Sequence, residues 1–108
     1  MKFLLQWLAR LLTWHKAWRQ LQDLGYLARA GRTQSETCQS SSFKAFEAWV
    51  QEAQTAYDAS DINATVESLE QAAATFERLD QRARNELSRQ AAATRAREYQ
   101  MHVANCCQ

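Results

Sequence analysis

Residues 1–24, MKFLLQWLARLLTWHKAWRQLQDL, set Trp7, Leu11, Trp14, Trp18 and Leu21 at steps of four, three, four and three. Such spacing keeps side chains on one face of an α-helix, where neighbours recur every three or four residues. Three of the chain's four tryptophans therefore share one surface. Leu4, Leu5, Leu8 and Leu12 widen that surface over the first three turns. The result is an apolar arc of about 200° that narrows toward Asp23. A face of this kind has to be buried: in its own chain, in a second copy, in a partner protein or in a membrane surface.

The rest of the composition fixes the fold class. Proline is absent, and glycine occurs only at Gly25 and Gly31. β architectures need turn-forming residues at their corners, whereas Ala, Leu, Gln, Glu and Arg, which dominate here, are strong helix formers. The reading is all-α. A length of 108 residues suits one domain that removes roughly two thirds of its unfolded surface from water. The formal charge of +1 is unevenly spread. Residues 1–32 carry six basic and one acidic side chain, residues 33–80 two and nine, and residues 81–108 five and two. A basic–acidic–basic order favours folding both ends back on the middle, although each screened surface pair adds little.

Three helical segments emerge. The first, a Trp-rich amphipathic helix over residues 1–30, is weakened at Gly25 and ends at Gly31, a residue suited to a left-handed stop. Residues 31–42, GRTQSETCQSSS, lack apolar periodicity and read as a polar linker. From 43 to 108 runs an antiparallel helical hairpin with an extended C-terminal arm. Ser41 or Ser42 caps its first helix, which presents Phe43, Phe46, Val50, Ala53 and Tyr57 with Trp49 alongside. Ser60 or Asp61 caps the next, whose stripe is Ile62, Val66, Leu69, Ala73, Phe76, Leu79, Ala83 and Leu87. Phe43, Phe46, Trp49, Val50, Ile62, Leu69 and Phe76 are the expected hairpin core. Trp49, Ala53, Leu69 and Ala72 resemble one tetratricopeptide unit. Tyr57 is displaced from that pattern by one position, the closing proline is missing and no second unit follows, so the segment is treated as two packed helices.

Beyond Leu87 the large apolar residues stop until Tyr99, Met101 and Val103. A helix running unbroken from Ile62 to about Val103 spans roughly 60 Å and protrudes from a compact core. Protruding helices of this composition are usually assembly elements, coiled-coil arms or segments that order on binding.

Several function classes are excluded or disfavoured. Gln6 and Arg10 interrupt the apolar start and no Ala-x-Ala site follows, which argues against a signal peptide. Arg10, His15, Lys16 and Arg19 rule out a membrane-spanning segment. Cys38, Cys106 and Cys107 suggest no disulfide framework, so a reducing cytoplasm is expected. Met101, His102, Cys106 and Cys107 are soft ligands but lack the second pair that a closed Zn or Cu(I) site needs, and no metal or cofactor is expected. Cys38 with His15 or His102 has no orienting motif, so no enzyme is expected. Arg78, Arg82, Arg84, Arg89, Arg95 and Arg97 do not all share a helical row, and the four-residue pairs Asp80–Arg84 and Arg82–Glu86 neutralise part of them, which makes nucleic acid an unfavoured partner.

The expectation is a non-catalytic helical interaction protein, of adaptor type. Its contact surface is Trp7, Leu11, Trp14, Trp18 and Leu21, docking on itself as a homo-oligomer or on a partner protein. The alternative is a cytoplasmic protein peripheral to the membrane, anchored by the same helix through Trp and snorkelling Lys2, Arg10, Lys16 and Arg19. A third reading is a nucleic-acid accessory protein using the C-terminal arginines.

Overall fold

The computed structural model describes residues 2–34 and 40–106, which form helices α1 (Lys2–Arg32), α2 (Ser41–Asp58), α3 (Ile62–Glu77) and α4 (Gln81–Cys106) and no strand. The protein is all-α. Its centre is the antiparallel α2–α3 hairpin. Ser40, rather than Ser41 or Ser42, opens α2: its backbone is extended (φ −65°, ψ 135°) and its hydroxyl accepts from the Phe43 N–H at 3.5 Å. The following two serines lie inside the first turn. Asp61 opens α3, its carboxylate accepting from the Ala64 N–H at 3.1 Å. Between the two helices Ser60 adopts a left-handed backbone with φ 60°.

The core joins Phe43, Phe46, Val50 and Ala53 of α2 to Leu69 and Ala72 of α3, Leu87 and Ala91 of α4, and Ala17, Leu21, Leu24 and Ala28 of α1. The expected core differs at three places: Trp49, Ile62 and Phe76 are only partly buried. On α3 the inward stripe is turned toward Thr65, Ser68, Leu69, Ala72 and Thr75. Burying these threonines costs little, because the Thr65 hydroxyl donates to the Asp61 carbonyl at 2.6 Å and that of Thr75 to the Gln71 and Ala72 carbonyls at 2.9 Å.

The expected continuous third helix is interrupted. Arg78 closes α3 and Asp80 starts α4 by accepting from the Ala83 N–H at 2.7 Å. Leu79, in the break, stays buried. The apolar spacing of Phe76, Leu79, Ala83 and Leu87 is compatible with a continuous helix and so hides a turn that a capping aspartate makes without glycine or proline.

The expected stop at Gly31 is also absent. Gly31 is helical and buried, α1 runs on to Arg32, and neither glycine has a positive φ. Its role is close approach: a Cβ here would lie 2.1 Å from the Phe43 ring. Residues 31 and 32 thus belong to α1, and residues 41 and 42 to α2, so the connection is shorter than residues 31–42.

Gly31 sits on Phe43 near the start of α2, and Trp14 meets Tyr57 near its end, so the two helices run antiparallel. At about 1.5 Å per residue, α1 is about 46 Å long and α2 about 27 Å. The first dozen residues of α1 therefore overhang the hairpin. α4 crosses α1 on another side, Asp23 lying beside Arg95, Tyr26 and Arg29 beside Glu98, and Ala30 and Thr33 beside Gln90 and Ala93. With both arms extended, the radius of gyration is 16.0 Å, against about 13 Å for a compact chain of this length.

Candidate docking surface

The first helix carries two apolar faces. One is the seam Trp14, Ala17, Leu21, Leu24, Ala28 and Gly31, whose steps of three and four bring it against the rest of the chain. The other comprises Leu4, Leu5, Trp7, Leu8, Leu11 and Leu12, all exposed, from 45% at Leu8 to 68% at Leu5. At about 100° per residue the centres of the two faces lie about 160° apart. The exposed face is on the side of α1 that, further along, α4 covers through contacts with Asp23, Tyr26 and Arg29.

The five residues expected to form one contact surface are divided between these faces. Trp7, Leu11 and Trp18 are exposed. Trp14 is half-buried, its ring edge-on to Tyr57 with centroids 5.3 Å apart at 74°. Leu21 is buried in the chain's own core. The residues that place α1 on the hairpin and escaped the sequence reading are Ala17, Leu24, Ala28 and Gly31, three of them small. Their signal was the alternative heptad register starting at Trp14, in which alanine and glycine take the places of large side chains and let helices approach closely.

The polar surroundings of the overhang are basic. No acidic residue precedes Asp23 in the sequence. His15 stacks against Trp18 with centroids 6.3 Å apart at 24°, and the exposed Lys16 and Arg19 follow Leu12 by one and two turns. Toward the hairpin, Arg10 and Trp14 border a groove of about 780 Å³ whose other wall carries Ile62, Val66, Glu67 and Glu70.

Ion pairs bridge the arms to the rest of the chain and to each other. Arg32 bonds Glu47 at 2.6 Å and Arg84 bonds Glu77 at 2.7 Å, which ties each basic end to the acidic middle. α1 and α4 meet through the few acids of their own segments: Arg95 pairs with Asp23, and Glu98 accepts from the Tyr26 hydroxyl and from Arg29 at 3.4 Å. The Arg29 and Arg95 guanidinium groups lie 4.5 and 5.1 Å from the Tyr26 ring centre. The hydrogen bond to Glu98, followed by burial and the carboxylate's charge, pushes the Tyr26 hydroxyl above its ordinary pKa. These groups are largely exposed, so each pair contributes little to stability.

Two sequence-level pairings are replaced. Asp80 caps α4, so Arg84 turns back to Glu77 in place of Asp80. Glu86 binds Arg89 at 2.5 Å instead of Arg82. Chiefly that hydrogen bond holds the Glu86 carboxyl below its ordinary pKa.

At the C-terminal arm, His102 Nε2 lies 3.7 Å from Cys106 Sγ, and Met101 is exposed. Among the described residues no three His, Cys, Asp or Glu side chains gather as metal ligands. Cys38 and Cys107 lie outside the described residues, and with them the Cys38 pairings and half of the adjacent cysteine pair. No helix among the described residues is long and apolar enough to cross a membrane. Comparison with protein-family models, with curated proteins and with solved structures gave no match.

Proposed function

We propose that this chain is a small, non-catalytic helical interaction protein that docks through the overhanging N-terminal half of α1. The observation that carries this reading is the set of six large apolar side chains, Leu4 to Leu12, left exposed beyond the hairpin. Isolated exposed leucines are ordinary on a protein surface, but a contiguous patch of this kind is a contact site. Trp7 and Trp18 add rings of the type that anchors interfaces. Leu21 and Trp14 serve the other purpose, holding the helix to its own core so that the overhang is presented from a fixed base.

The arginines of α4 support this assignment over nucleic-acid binding. Arg84, Arg89 and Arg95 are engaged by Glu77, Glu86 and Asp23, whereas a phosphate-tracking surface needs unpaired cations along one face.

Light scattering together with binding of a dye for apolar surface tests the docking role. The full chain is expected to bind the dye, or to bury the patch by self-association. Changing Leu4, Leu8 and Leu11 together to Gln should abolish both while leaving the melting temperature within a few degrees of the parent. A monomer that binds no dye would overturn the reading.

A further inference from the structure

We infer that the surface this overhang docks on is an anionic lipid bilayer, with the overhanging part of α1 lying in the plane of the interface. The inference rests on the docking role of the overhang and names its occupant. Three features favour a bilayer over a protein groove or a second copy.

The first is the width of the patch. Leu11, Leu4 and Leu8 form its middle, while Trp7 on one margin and Leu12 and Leu5 on the other remain 58%, 60% and 68% exposed. The patch covers an arc of about 160°. A rigid groove grips a narrower stripe, whereas a fluid interface covers the margins as well.

Charge is the second. The overhang and the turns after it carry Arg10, Lys16 and Arg19 and no acid before Asp23, whereas residues 33–80, which include the whole hairpin, hold nine acids against two bases. An anionic surface attracts the first region and repels the second, which turns the exposed face of the overhang toward the membrane and the hairpin away from it.

The third is the ring chemistry. Trp7 and Trp18, both exposed, are the ring type that prefers the headgroup level.

The test is vesicle flotation of the full chain with phosphatidylcholine alone and with phosphatidylcholine containing phosphatidylglycerol, at low and high salt. Binding is expected on the anionic vesicles, weakened by salt. The double change Lys16→Gln and Arg19→Gln should lower affinity for them by about 30-fold, with little effect on neutral vesicles. Leu8→Gln with Leu12→Gln should lower binding to both compositions, with helicity by circular dichroism confirming that the fold persists. An oligomer that floats with neither vesicle and dissociates on Leu8→Gln would overturn the bilayer in favour of a second copy, leaving docking intact. A monomer that binds neither vesicles nor dye would overturn the docking role along with it.

Discussion

The two halves of α1 are one continuous helix under opposite constraints. From Ala17 to Gly31 its inward residues are mostly small and buried, and the helix touches its neighbours so closely that Phe43 occupies the space of a missing Cβ at Gly31. From Leu4 to Leu12 its residues are large and bare. If size alone guided burial, the order would be reversed. Apolar area therefore marks what a helix can bury, whereas the small residues mark where it is buried within this chain.

The largest expected contrast sets the hairpin core against the overhang. Phe46, fully buried and 5.4 Å from the Phe76 ring centre, should lose about 3–5 kcal/mol on change to Ala, whereas Leu8→Ala should stay within about 0.5 kcal/mol. Urea unfolding of both variants measures this. A large loss at Leu8 would mean that the overhang belongs to the core after all.

The two glycines of α1 sharpen the comparison next. Gly31→Ala forces a methyl into the Phe43 ring and should cost about 1–3 kcal/mol. Gly25→Ala meets nothing within 4 Å and should gain about 0.5–1 kcal/mol from helix propensity. Opposite signs in the same helix, read from melting temperatures, are the outcome to look for. Asp61→Ala removes the α3 cap and should cost about 1 kcal/mol at neutral pH.

The smallest effect is in the α1–α4 contact. Tyr26 is held above its ordinary pKa by Glu98, so its contribution is present below about pH 10 and is lost as pH rises through the folded value. The melting temperature of the parent should exceed that of Tyr26→Phe by a small margin at neutral pH, and the margin should shrink at alkaline pH. A gap that widened with pH would contradict the assigned hydrogen bond.

The all-α class, the hairpin and a cap at Ser60 or Asp61 were legible because each rests on local chemistry: helix propensity, a period of three to four, and a side chain that bonds its own backbone; the cap is Asp61. What was not legible depends on which side of a residue meets another element. Trp18 drew the expected stripe to itself because it is large, while the packed register passes through Ala17, one residue away and about 100° around the helix. Thr65 and Thr75 lie outside the expected stripe of α3, yet both are buried, with their hydroxyls satisfied by backbone carbonyls three or four residues earlier. The α3–α4 break escaped because Leu79 keeps the apolar rhythm across it. At the candidate site, Trp7, Leu11, Trp14, Trp18 and Leu21 were read as one contact surface, whereas Trp7, Leu11 and Trp18 are exposed and Leu21, with the same spacing, is buried in the chain's own core.

The overhang also gives α1 a gradient of backbone protection. Its first turns have few tertiary contacts, so their hydrogen bonds persist only by propagation from the anchored stretch beginning near Trp14 and Ala17. A free helix of a dozen residues is marginal in water, because nucleation is unfavourable and each added residue contributes little. Anchored at one end, the overhang behaves as a cantilever: nucleation is supplied by the core, and the tip unravels from Lys2 inward. Amide hydrogen exchange should slow residue by residue from Leu4 toward Leu21, and any surface that captures the tip will be registered first as a flattening of that slope.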